Sequence, residues 1–174
     1  MAQIKMTWKN DFEKMQEPKA PEGFSIKNFP NTPNALEQWL DVVQYGLSEQ
    51  KEDGSYYTRT MTELPNYEED KCFFILKGDV AAATITVVCD YEKKDGLIHM
   101  VACKPEFRGC GLGKLLAQYA KYVLKEAGME TGRLNTDDWR IPAIKTYLNI
   151  GFEPDLSTDE LKERWAKVEE ELKK

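Results

Sequence analysis

The rhythm of apolar and polar residues changes along the chain, and each change marks an element. In KCFFILKGDVAAATITVVCDYEKKDGLIHMVACK (71–104) apolar residues run almost unbroken. Only Gly78-Asp79 and EKKDG (92–96) interrupt them, which predicts three consecutive strands joined by two tight turns. GFSIKNF (23–29) alternates and predicts a further strand. Behind Thr32 or Asn31 and Pro33, the residues Leu36, Trp39, Leu40, Val43 and Leu47 recur at helical spacing and predict a helix. Leu112, Leu115, Leu116, Tyr119, Val123 and Ala127 form the stripe of a second helix (113–127). Lys114, Gln118, Lys121 and Lys125 face away from it, and Gly128 stops it. GRLNT (132–136) reads as a short strand, and IPAIKTYLNIG (141–151) as a helix closed by Gly151. The tail opens with a Ser157/Glu160 capping box and carries Leu161, Trp165, Val168 and Leu172 on one side.

Two stretches lack a clear period. Residues 48–70 are polar with scattered aromatics and predict a short helix plus a mobile loop. Residues 1–22 are polar, contain Pro18 and Pro21, and predict an irregular arm. The expected organisation is therefore an arm (1–22), a single domain (23–156) and an amphipathic helix packed on it (157–174).

Composition narrows the function. At 174 residues the chain is long enough for a real core, and 41% hydrophobic with 31% charged residues is ordinary for a soluble protein. A net charge of −6 argues against nucleic acid as partner, because phosphate neutralisation needs clustered Lys and Arg. No apolar run approaches the length of a membrane span and no leader-like segment opens the chain, so a cytoplasmic location is expected. Cys72, Cys89, Cys103 and Cys110 form no C-x-x-C pair and read as free thiols. A single histidine argues against a zinc site, and no metal is expected.

One stretch carries chemistry. HMVACKPEFRGCGLGK (99–114) passes from strand through Pro105, Arg108 and three alternating glycines directly into a helix. A helix amino-terminus offers unpaired N–H groups and the positive end of the helix dipole, which together attract phosphate oxygens. Glycine lets the backbone come close. Arg108 and Lys114 add charge at either end. A P-loop is excluded, because Leu115 stands where the Mg²⁺-binding hydroxyl belongs. A dinucleotide fingerprint is excluded, because Lys114 replaces its third glycine.

What remains is R-x-x-G-x-G through Arg108, Gly111 and Gly113, followed later by A-x-x-x-Y-x-x-x-G-F through Ala143, Tyr147, Gly151 and Phe152. With strand, helix and strand in the right order, residues 81–152 resemble the GCN5-related N-acetyltransferase (GNAT) family. The resemblance implies a mixed, mostly antiparallel α/β sheet opened into a V, with helices on both faces. It implies acetyl-CoA as co-substrate and a primary amine of a small molecule or peptide as acceptor. Attack would occur in a ternary complex without a covalent enzyme intermediate. Monomer or homodimer stays open. A coenzyme-A-binding module without transferase activity is the alternative. A Ser hydrolase is disfavoured, since no G-x-S-x-G occurs.

The same resemblance assigns residues. The main chain of Arg108, Gly109, Cys110, Gly111, Leu112, Gly113 and Lys114 would hold the pyrophosphate. Val101, Ala102 and Cys103 would pair with the pantetheine arm, beside a bulge that parts the strands, with the Val101 N–H on the thioester carbonyl. Tyr147 would be the general acid for the departing thiolate. His99 resembles a histidine at the same offset in serotonin N-acetyltransferase and is the candidate base; Glu68, Glu69 and solvent are its rivals. Asn135 would bond the pantetheine amide. Arg140 stands where the family often has Asn, and either reaches a coenzyme phosphate or leaves that contact to Asn135. Cys110 is a bystander. Many relatives end in two strands after G-F, whereas here a helix follows; the final strand is missing or the helix packs over the sheet in its place.

Overall fold

The computed structural model describes residues 3–174. In chain order the elements are β1 (Ile4–Lys9), β2 (Phe24–Asn28), α1 (Ala35–Val43), α2 (Gly54–Tyr57), β3 (Cys72–Lys77), β4 (Val80–Asp90), β5 (Asp95–Cys103), α3 (Leu112–Glu126), β6 (Thr131–Thr136), α4 (Ile141–Asn149), β7 (Glu153–Pro154) and α5 (Asp159–Leu172). A π-helical turn, Thr58–Thr62, extends α2. The seven strands form one sheet in the order β2-β3-β4-β5-β6-β1-β7. All neighbours are antiparallel except β5 and β6. The mixed α/β sheet is as expected.

Each face of the sheet buries its own core. On one face α3, α4 and α5 cover Met6, Trp8, Ile85, Leu116, Leu124, Phe152 and Trp165. On the other, α1 and α2 cover Phe74, Leu76 and Ala102 with Trp39, Val42, Tyr57 and Met61. The central strands β3 and β4 are buried on both sides, which explains their unbroken apolar runs.

The amino-terminal segment departs from expectation. Residues 4–9 are not an irregular arm but a strand inside the sheet, paired with β6 from Ile4↔Thr136 to Lys9↔Thr131 and with β7 at Met6↔Pro154. Ile4, Met6 and Trp8 point into the core, while Lys5 and Lys9 are exposed. After Phe152 the chain adds only the two-residue β7 before α5, so the sheet position beside β6 is filled from the amino-terminus. Beyond β1 the chain straps across α3: Lys125, which was expected to face away, pairs with Asp11 and donates to the Glu13 carbonyl (2.7 Å). The cap of α5 is Thr158, whose hydroxyl accepts from the Leu161 N–H (3.2 Å), rather than Ser157.

Candidate active site

The parallel strands β5 and β6 pair at only three positions, Asp95↔Thr131, Gly96↔Gly132 and Leu97↔Arg133. There the two glycines let the backbones and Leu124 pack together; a Cβ on Gly132 would lie 3.1 Å from Trp8 Cε3 and 3.0 Å from Leu124 Cδ1. Beyond that point β5 stays with β4 and β6 with β1, and a gap opens. Its cause is local to β5. The register with β4 jumps from Thr86↔His99 to Thr84↔Ala102, one extra residue on β5, and Met100 adopts a positive φ of 53°. This is a β-bulge, which bends the strand away from its neighbour.

The gap is a cleft of about 440 Å³, lined among others by His99, Met100, Val101, Asn135, Arg140 and Tyr147. Residues from three separate predicted elements therefore meet in one place. Strand alternation sets the backbone there. The Lys104 N–H donates to Ala82 on β4 (2.9 Å), so the N–H groups of Cys103 and Val101 face the opposite way, toward the open gap. Ala102 departs from the expected pantetheine contacts: the same alternation turns its N–H and C=O toward Thr84 on β4, and its side chain is buried in the second core.

From Cys103 the chain runs through a 3₁₀ turn, Pro105–Phe107, into the glycine turn and α3. Gly109 and Gly111 have φ of 80° and 76°, a left-handed backbone that other residues adopt only under strain. The first intrahelical bond is Leu115 N–H to the Gly111 carbonyl (3.1 Å), so by helix geometry the N–H groups of Leu112, Gly113 and Lys114 precede the ladder. A Cβ built on Gly109, Gly111 or Gly113 would meet nothing within 4 Å, so the turn is an open shelf of backbone. Arg108 differs from the expected set: its own N–H already donates to the Pro105 carbonyl (3.2 Å). Its exposed side chain and that of Lys114 still flank the shelf.

Tyr147 is almost fully buried, and burial pushes its phenol up to about 12, with Arg140 acting in the opposite sense. The hydroxyl therefore stays protonated, as a donor, throughout the neutral range, and is a weaker acid than an exposed tyrosine. His99 is held by a 3.0 Å contact between its Nε2 and the Thr60 carbonyl. Burial lowers its pKa below the ordinary 6.5, and the Thr60 bond partly opposes that shift. A carbonyl can only accept, so the proton sits on Nε2 and the neutral ring carries its lone pair on Nδ1. Glu68, a rival base, is instead bound to Lys71 (2.5 Å) and Tyr91 (3.3 Å).

Arg140 points across the mouth of the cleft. Its guanidinium donates to the Gly46 carbonyl, lies 3.3 Å from Asp137 and stacks over Trp139 at 5.0 Å. Asp137 also accepts from Gln3 of the segment preceding β1 (3.2 Å). Gln3 and Asp137 are cleft residues that the sequence reading did not single out, since their proximity exists only through the β1–β6 pairing. All four cysteines are free thiols. Burial raises the Cys103 thiol, so it is protonated at neutral pH. Among the described residues no cluster of His, Cys, Asp or Glu is arranged to hold a metal ion. No helix among them is long and apolar enough to cross a membrane.

A bulged strand that leaves its parallel partner, followed by a glycine shelf at a helix amino-terminus, defines a class of α/β proteins built around a gap in the sheet. Residues 35–152 match the acetyltransferase (GNAT) family model, and the chain belongs to that family. Among curated relatives it is similar to mycothiol acetyltransferase of Streptomyces griseus subsp. griseus, 27% identical over 143 residues, covering 79% of this chain and 46% of that one. It is also similar to mycothiol acetyltransferase of Kytococcus sedentarius, 27% identical over 148 residues, with 82% and 50% covered. The chain thus spans about half the length of these curated relatives. Among solved structures, a GCN5-related N-acetyltransferase from Sphaerobacter thermophilus superposes with a TM-score of 0.68 at 16% identity, covering 88% of this chain and 48% of that one. A tandem GNAT protein from the clavulanic acid biosynthesis pathway gives 0.64 at 21% identity, with 87% and 50% covered. At these identities the superpositions establish the fold.

Proposed function

We propose that the protein transfers an acetyl group from acetyl-CoA to a primary amine. The observation that carries this reading is the bulge at Met100, which ends the β5–β6 pairing at Leu97 and turns the Val101 and Cys103 N–H groups toward the gap. Acetyl-CoA would supply an activated acetyl thioester. The shelf fits its pyrophosphate: amides of Gly109 to Lys114 with nothing filling the space a Cβ would occupy, flanked by Arg108 and Lys114. Cys103 and Val101 offer main-chain partners for an extended arm running from the shelf into the cleft. Asn135 lines the far wall and suits an amide.

The chemical roles follow from each group's state. The Val101 N–H donates to the thioester oxygen as negative charge grows on it, a donor whose position is fixed before the reaction starts. Neutral His99 takes the proton from the amine at Nδ1, directly or through one water. Tyr147, protonated and facing the cleft, donates to the sulfur as the thiolate leaves. Its raised pKa makes it chiefly a hydrogen-bond donor, with full proton transfer completed as solvent returns. Arg140, tied to Gly46 and Asp137, shapes the acceptor mouth rather than the phosphate shelf. The relatives named mycothiol acetyltransferase favour a small-molecule acceptor over a protein.

The test is acetyl-CoA binding by calorimetry together with free-thiol release across a panel of primary amines. The expected result is amine-dependent thiol release by the wild type. Tyr147→Phe should lower kcat about 10²-fold while leaving the Kd for acetyl-CoA within about twofold. Tight binding with no release for any amine would make the protein a coenzyme-binding module instead, and no binding at all would end the reading.

A further inference from the structure

The π-helical turn after α2 has no place in the family motifs, yet it touches the candidate base. In a regular helix the Thr60 carbonyl would accept from the N–H of residue 63, 64 or 65, for a 3₁₀, α or π bond respectively. None of the three closes on it. The Glu63 N–H donates to Thr58 (3.0 Å), the Leu64 N–H donates to Met61 (3.0 Å), and Pro65 has no N–H. The Thr60 hydroxyl points back to the Tyr56 carbonyl (2.6 Å) and leaves the Thr60 carbonyl open. That carbonyl meets His99 Nε2 at 3.0 Å.

The turn is itself pinned. Met61 is fully buried, and its sulfur accepts from the Thr86 hydroxyl (3.9 Å) on β4. Thr86 is the residue that faces His99 across the β4–β5 ladder. The turn, β4 and the bulged strand therefore fix one another at this point. Backbone groups buried without a partner are rare, so a carbonyl left out of its own helix marks a position with another task. Short π segments inside helices cluster at functional sites.

We propose that the Thr58–Pro65 turn is a positioning device for His99: Pro65, by lacking an N–H, leaves the Thr60 carbonyl free to hold the imidazole proton on Nε2, so that Nδ1 keeps its lone pair for the acceptor amine. When Nδ1 takes the amine's proton, the ring becomes an imidazolium whose Nε2–H still donates to Thr60. The same bond thus orients the base and stabilises its charged form. Pro65 and Thr60 are positioning residues, acting through His99, and the inference rests on His99 being the base.

The chain has a single histidine, so ¹⁵N-histidine NMR reads this ring alone. On the wild-type protein at a pH where the ring is neutral, the expected spectrum has the proton on Nε2 as a slowly exchanging downfield resonance. A ring with its proton on Nδ1, or an Nε2 proton exchanging as fast as in free imidazole, would overturn the proposal whatever the variants do. In Pro65→Ala the restored N–H competes for the Thr60 carbonyl. The Nε2 proton should exchange faster and kcat should fall about tenfold, with acetyl-CoA affinity unchanged. A Pro65→Ala protein with unaltered histidine spectrum and kcat would overturn it too. His99→Gln separates the two readings. If thiol release is undiminished in His99→Gln, the assignment of His99 as base fails. If it drops but the wild-type ring is not held through Nε2, only the positioning device fails.

Discussion

His99 shows how one side chain links site and stability. Burial disfavours its charged form, so its folded pKa lies below 6.5 while the unfolded chain keeps the ordinary value. Between the two values the unfolded state binds more protons, and stability rises with pH. The contribution is complete above about pH 6.5 and is lost as pH falls through the folded value. His99→Gln does not titrate and keeps a donor for Thr60. Urea midpoints of the two proteins should therefore run parallel above pH 7 and diverge below about pH 6, with the wild type losing more. Parallel midpoints down to pH 5 would show that the imidazole is not desolvated. Burial likewise favours the neutral form of Tyr147, but a phenol is neutral when protonated, so its pKa rises to about 12 and its share of stability is lost as pH climbs through that value.

At the level of elements, two glycines decide where the sheet divides. Gly96 on β5 and Gly132 on β6 are directly paired, and Leu124 of α3 fills the space above both. A methyl group on Gly96 would collide with Leu124 Cδ2, which is fully buried and has little room to turn. Gly96→Ala should cost about 1–3 kcal/mol by overpacking, read as a lower urea midpoint with unchanged slope. The companion Leu124→Ala should relieve that strain, so that the double variant loses less than the sum of the two single ones. Full additivity would mean that the glycines are not required for the close approach. The bulge two turns of the pleat further on then parts the strands. Neither device gives a periodic signal. The strands themselves were legible because their apolar runs are long, and α3 because its stripe is regular. The bulge entered only through the family resemblance.

For the molecule as a whole, β1 carries more weight than its length suggests. It pairs along the whole of β6 on the edge away from β5, so β6 keeps one full ladder where its other edge faces the gap. Its Trp8 lies 6.5 Å from Phe152, centre to centre, with Lys121 Nζ 5.8 Å from the indole. Trp8→Ala should cost about 3–5 kcal/mol. Removal of residues 1–9 should abolish cooperative thermal unfolding, because β6 would then be an unpaired edge with an apolar inner face. A truncated protein that still melts in one sharp transition would contradict this. The alternation of Ile4, Met6 and Trp8 is visible in the sequence, yet it is short and followed by a polar, proline-bearing stretch. Its partner strand lies more than a hundred residues away, at 131–136. Nothing local states that pairing.

The sequence by itself determined the three central strands, the helices that cover them, the glycine shelf, and the motif that brings Tyr147 and Arg108 into one family pattern. Those features are short-range: a period, a turn residue or a helix start is written within a few positions. Tertiary structure alone decided that β1 completes the sheet, that Arg140 closes on Gly46 and Asp137 rather than on the shelf, and that the Thr60 carbonyl meets His99. Apart from the Arg140–Asp137 ion pair, which spans three positions, these contacts join residues tens to more than a hundred positions apart, and such pairings follow from how whole elements pack, which no local pattern encodes.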